Sequence, residues 1–242
     1  MGIPATIISF EIPQRYQVAN GLTPLGAGIR LLSFVCAQPL GSFMANAIAG
    51  ATKMPPLFIL LAGTALQILG LGLMTMLPSS GAIPGAQYAY QAIMGWGCGL
   101  TFSIVMLITP FTVEAKDLGK LYRCYIAQRT IFSNDWIAVA TSSVVQFRLT
   151  GQAIGLAIAT GVLNSDLSSK LSGLLSTSQL QSLLRDISIV DTFPQNLQES
   201  VGEIFGKAYN LNIKVMIGFA AAQFLAAGLL WRRPQLSIKH KA

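Results

Sequence analysis

Charge is what this chain of 242 residues has least of: Asp, Glu, Lys and Arg together make up 10% of it. A soluble domain carries about a quarter charged residues, so a large water-facing surface is excluded. There is one histidine, His240, at the tail, and the three cysteines, Cys36, Cys98 and Cys124, are scattered without pairing or metal-ligand spacing. That inventory leaves metal and cofactor chemistry without support. No Ser/His/Asp set and no phosphate loop after a strand can be assembled, so the enzyme classes that need them fall away. No acidic residue lies inside a full apolar span, and Glu11 stands at the edge of a short one. The first ten residues also lack the basic start and small-residue cleavage site of a signal peptide.

What is present is apolar length. Hydrophobic residues make up 52% of the chain and mean hydropathy is +0.58. Long apolar runs separated by short polar turns read as membrane-crossing helices. Residues 1–10 form a stub like the end of a span, followed by a polar, turn-forming EIPQRYQVANG with Pro13 and Gly21 as breakers. Full spans are expected at about 22–49, 57–77, 87–111, 139–165 and 209–231. Pro24 suits the first turn of its helix, Pro39 interrupts the middle, and Thr109-Pro110 ends the third span. The first three spans and the stub make one unit, 1–112, and residues 113–138 make a charged loop. Residues 139–242 hold the last two spans, joined by an amphipathic section at 166–208. In that section Leu180, Leu183, Leu184 and Ile187 recur at helical spacing after Thr177 or Ser178 as a cap, and Pro194 breaks the pattern. The fold class is an all-α polytopic membrane protein with a lipid bilayer as its surroundings: five full transmembrane helices and an N-terminal stub.

The net charge of +7 lies between and beside the spans, not in a continuous patch, which argues against nucleic acid. With the tail in the cytosol, the inner side carries Lys53, Lys116, Lys120, Arg123, Arg129, Arg232, Arg233, Lys239 and Lys241. The outer side carries only Arg15, Lys170, Arg185 and Lys207. This distribution follows the positive-inside rule and puts 166–208 outside.

Three stretches carry a resemblance: IPQRYQVANGLTPLGAGIRLL, VVQFRLTGQAIGLAI, and YNLNIKVMIGFAAAQ before a basic tail. They resemble the C-terminal part of fungal major facilitator superfamily efflux pumps, in particular the fourteen-spanner drug:proton antiporters that export toxins and secondary metabolites. The resemblance implies a partial major-facilitator helix bundle and proton-coupled export of a small amphipathic molecule by alternating access. It also implies a missing N-terminal half that would supply the intramembrane carboxylate. The partners implied are a small-molecule substrate and a proton in the intact pump, and the expected place is the plasma membrane or, as the alternative, a vacuolar one. The rival is a truncated, non-transporting membrane protein or degenerate gene product with the same helices and no activity.

The loop departs from that pattern. GKLYRCYIAQRTIFSNDWI, residues 119–137, matches nothing in the resemblance, and joining Leu118 to Ala138 restores a continuous family-like DLAVATSSVVQFR. Gly-Lys and Ile-Ala at its ends can be encoded by codons holding an intron's start and end. The segment therefore reads as a translated retained intron, against the alternative of a basic interfacial loop with Tyr122, Tyr125 and Ile126 on the headgroups.

Arg30 and Arg148 are the leading candidates for the substrate pathway. An arginine costs about 2.5–3.5 kcal/mol at the centre of a spanning helix. Either could hold an anionic substrate group, or, near a span end, snorkel to the headgroups. Gln146, Gln152, Gln67 and Asn46 could line the pathway, although interhelical hydrogen bonds explain them equally. Trp96 could stack on an aromatic substrate or pack beside the GWGCG run. Gly95 with Gly99 and Gly151 with Gly155, each pair four apart, are read as close-packing positions for neighbouring helices.

Overall fold

The computed structural model describes residues 2–52, 54–78, 83–112 and 135–231, with the side chains of 110–112, 135–139, 185, 188 and 191 left out. Most of the 119–137 segment therefore lies outside the described residues. Seven α-helices and one short 3-10 helix make up the described chain. They are α1 (Ile3–Asn20), α2 (Pro24–Ala51), α3 (Pro56–Met74), α4 (Ala86–Thr112), α5 (Asp135–Leu171), α6 (Thr177–Arg185), the 3-10 helix Ile187–Thr192, and α7 (Gln195–Gly228).

Four of these helices, α2, α3, α4 and α7, are long and apolar enough to cross a membrane by length and composition. The span expected at 139–165 lies within α5, whose 37 residues are long enough but are diluted by Gln146, Arg148, Gln152 and Asn164. The bundle has a mainly apolar interior that also holds polar groups, and an outside rich in apolar side chains. Gln67, Gln91, Thr101, Asn212 and Gln223 are buried, while Leu25, Ile29, Phe43, Phe147 and Leu225 face outward. That arrangement suits a hydrocarbon solvent, where interior polar groups bind helices together.

α4 is the central post, packed on α2 along one side and on α3 along the other. Glycine permits both approaches. A methyl group added at Gly95 would strike Phe34 O and one at Gly99 would strike Gln38 O, both on α2. One at Gly97 would lie 2.6 Å from Gly63 O on α3. α7 packs on α3, α1 and α5 and closes the bundle.

Several boundaries differ from the sequence expectation. The stretch after residue 10 is not a turn: α1 continues through Pro13 to Asn20 and stops at Gly21, whose φ of 60° lets its N–H bond back to Tyr16 O. Packing against α7 and α2 holds this helix where local composition favours a turn. α4 likewise passes Pro110 and ends at Thr112.

The section 166–208 is largely helical, made of extensions of the flanking helices. α5 runs to Leu171 and α7 starts at Gln195, so the two are about 55 and about 51 Å long against a hydrocarbon core of about 30 Å. Their projecting ends, with α6 and the 3-10 helix, bury a second core of Leu163, Leu167, Leu171, Leu183, Val190, Val201, Phe205 and Tyr209. The cap of α6 is Ser176, not Thr177 or Ser178. Its side chain accepts from Gln179 N, and Gln179 Oε1 accepts from Ser176 N, a reciprocal pair that needs Gln three residues after the cap.

Candidate functional site

A cavity of about 710 Å³ lies between α2, α4 and α5, with Gly2, Ala5 of α1 and Gln67 of α3 at its edge. α2 contributes Gln38, Pro39 and Ser42; α4 contributes Cys98, Thr101, Phe102 and Val105; α5 contributes Val144, Phe147 and Arg148. The lining is mostly apolar with a few convergent polar groups, the composition of a small-molecule site. Arg148 is its charged group. The guanidinium carbon stands 4.1 Å from the centroid of the Phe102 ring, a cation held against a π face. Among the described residues the ion pairs are Lys170–Asp166 and Lys207–Glu203, and no described carboxylate pairs with Arg148. Such a cavity can bind an amphipathic molecule through its apolar body and an anionic or polarised group through the arginine.

Gln67 borders this cavity at 2% exposure. Its Nε2 donates to Gly97 O at 3.2 Å and to Thr101 Oγ1 at 2.8 Å, and its Oε1 accepts from Gln223 Nε2 at 3.4 Å. It ties α3, α4 and α7 together beside the cavity floor.

The other candidates lie elsewhere. Arg30 donates to Tyr88 OH at 2.9 Å, beside a chain in which Ser33 Oγ donates to Gln91 and Gln91 donates to Tyr16 OH. It is a clamp between α2 and α4 and does not line the cavity. Gln152 Nε2 reaches Gly2 O at 3.4 Å, while Gln146 is exposed. Trp96 is 40% exposed and packs against Gly41. Asn46 accepts from Ser103 Oγ at 2.9 Å between α2 and α4. Gly155 meets Ile3 of α1, whereas among the described residues nothing lies within 4 Å of a methyl group placed at Gly151.

The sequence reading missed a second polar centre. Glu11, placed at the edge of the stub, sits within α1 at 6% exposure. Asn212 of α7 donates a short hydrogen bond to Glu11 Oε1 and another, at 3.1 Å, to Ala159 O of α5. Glu11 Oε2 and Asn212 Oδ1 are both buried with no partner. One turn on, Arg15 is turned away: its guanidinium donates to Asn210 Oδ1 and Pro78 O, each at 2.9 Å. A cavity of about 200 Å³ opens beside Glu11, lined also by Gln14, Thr160, Asn164 and Tyr209 and roofed by Leu183, Leu184 and Ile187. The only sequence signal was a lone carboxylate in a mainly apolar decapeptide, a position where an ionisable residue is functional by default.

Fold and cavity together define a class, a polytopic helical membrane protein with a cavity of small-molecule size between its helices. The comparisons place it more narrowly, among proteins similar to fungal major facilitator efflux pumps, and this similarity extends over nearly the whole chain. An MFS-type transporter, FPY5, of Fusarium mangiferae is 31% identical over 96% of the chain. An efflux pump of Aspergillus niger, aunC, is 27% identical and one of Emericella nidulans, alnA, 25% identical, each again over 96% of the chain. No family model matches. The chain spans 36–40% of the length of these relatives. The apolar helices and the relatives together make it an integral membrane protein.

Proposed function

We propose that this chain forms part of a carrier that exports a small amphipathic molecule, a secondary metabolite or toxin, by antiport with protons. The observation that carries the reading is the cavity of about 710 Å³ with Arg148 stacked on Phe102 in a mostly apolar wall. The efflux-pump names of the relatives support the direction of transport. Alternating access would use the remaining spans as the opposite wall, with the cavity open in turn to each side. The cavity is lined by the first part of α5 and the last part of α4, the ends that the positive-inside rule assigns to the cytosol. The substrate therefore enters from the cytosolic side. The membrane is the plasma membrane, which exported toxin must cross, with a vacuolar membrane as the alternative. Similarity to carriers, with no catalytic set in the sequence, supports a carrier over an enzyme.

A second reading rests on one observation, the 36–40% coverage of the relatives. It holds that the chain alone is a non-transporting truncated membrane protein. The test is export of an anionic aromatic dye from cells carrying the chain with the genomic sequence that adjoins it, beside cells carrying the chain alone. Export by the joined form, lowered at least tenfold by Arg148→Ala, supports the carrier. A joined form that reaches the membrane and exports nothing sinks it.

A further inference from the structure

We propose that Glu11, with Asn212, is a proton-binding site of this chain, housed in its own cavity apart from the substrate cavity. This rests on the carrier reading for its purpose, though not for its chemistry.

The argument is one of hydrogen-bond accounting. Two buried acceptors, Glu11 Oε2 and Asn212 Oδ1, belong to side chains that already touch through Asn212 Nδ2 and Glu11 Oε1. The pair has spent its amide donors on Glu11 and Ala159 O, and has none left for the two orphan oxygens. A proton on the carboxyl group supplies that donor. Leaving such atoms unsatisfied in a buried site carries the full desolvation penalty of each group. Among the described residues no ion pair neutralises the carboxylate, since Arg15 is bound to Asn210 and Pro78 O. The titratable groups lining the two cavities on either side of Glu11 are Arg15 of α1 and Tyr209 of α7, and Tyr209 OH is turned to Gln14 Oε1. α5 presents Thr160 and Asn164 there, α4 presents Gln87, and the roof presents Leu183, Leu184 and Ile187.

Placement gives the site its role. On α5 the substrate cavity occupies 144–148 and the Glu11 cavity 156–167, so their centres lie about 23 Å apart along the helix. The same division holds on α1, with Ala5 in one cavity and Phe10, Glu11 and Gln14 in the other. The Glu11 cavity lies under the lobe made by α6 and the 3-10 helix. With that lobe outside, a proton from external water joins the Glu11 carboxylate there, and leaves to the cytosol when the carboxylate re-forms. Substrate enters at the opposite end, and the shared walls α1 and α5 join the two events.

The test uses the full chain in lipid vesicles. Infrared difference spectra between alkaline and acidic buffer are recorded for wild type, Glu11→Gln and Glu11→Asp. A carboxylic C=O band that is present in wild type, lost in E11Q and kept in E11D is the expected result. No wild-type band, or an undiminished band in E11Q, overturns the proposal. Binding of an anionic aromatic dye to the same vesicles, reduced by R148A, reports on the carrier reading separately. Absent dye binding would count against the carrier while the band still decides the proton site.

Discussion

Arg148 of α5 lies over the ring of Phe102 of α4, 4.1 Å from guanidinium carbon to centroid, and the two close one wall of the large cavity. The contact joins helices that otherwise meet along a short line, and it holds a cation at a cavity surface with no ion-paired carboxylate among the described residues.

Removing the ring tests its purpose. A cation–π contact is worth about 0.5–2 kcal/mol, according to how far it is desolvated. Phe102→Leu keeps the apolar volume and removes the face. It should weaken binding of an anionic aromatic dye about 3- to 30-fold, while Arg148→Ala weakens it further and Arg148→Lys recovers only part. A neutral dye of the same shape should feel F102L and hardly feel R148A. Equal losses for both dyes with R148A would mean that the arginine only shapes the wall.

Glycine contacts divide into two kinds that a pair of variants separates. Gly99 meets Gln38 O across α2, whereas among the described residues nothing lies within 4 Å of a methyl group placed at Gly151. Gly99→Ala should destabilise the bundle by about 1–3 kcal/mol, the usual cost of overpacking. Gly151→Ala should be neutral or stabilising by up to about 1 kcal/mol, the helix-propensity gain. Thermal unfolding in detergent reads both, and a G151A protein that melts as low as G99A would contradict the packing described.

The helices were legible because apolar runs of span length are rare in any other setting. What escaped the sequence reading was decided by distant partners. EIPQR looks like a turn because Pro13 and three polar residues outweigh local helix signals, yet α7 and α2 hold it helical. Glu11 gained its meaning from Asn212, 201 residues away, and from a carbonyl on α5. The start of α7 was hidden within the amphipathic section 166–208, where the structure makes Glu199, Glu203 and Lys207 the exposed face of the projecting end, with Lys207 paired to Glu203 at 2.7 Å. Of the two arginines chosen for the pathway, Arg148 lines the cavity and Arg30 does not, a difference set by which neighbour each helix face meets.

Segment 119–137 gives a prediction that needs no folded protein. If it is a translated intron, transcripts lacking its 57 nucleotides (19 codons of three) exist beside those that retain it, and the spliced product runs Leu118 straight into Ala138. Asp117 then precedes Arg148 within one short stretch, and a chain with 119–137 deleted should insert in the membrane at least as well as the long form. Reads covering the segment uniformly, with no spliced species, would refute the intron and leave a basic interfacial loop.

The Gln67–Gln223 contact supplies a last prediction, because it separates a structural amide from a substrate ligand. Gln67 satisfies Gly97 O and Thr101 on α4 and accepts from Gln223 on α7. Gln67→Leu strands Gln223 Nε2 in a buried site, so it should cost about 1–3 kcal/mol of stability. The double variant Gln67→Leu/Gln223→Leu removes both partners and should recover most of that loss, since interhelical polar pairs in membranes average less than about 1 kcal/mol net. If Gln67 only binds helices together, dye affinity should follow stability and return in the double variant. If the amide at the cavity floor also touches substrate, stability should return while affinity stays low. Measuring melting temperature and dye affinity on the same three proteins decides which role Gln67 plays.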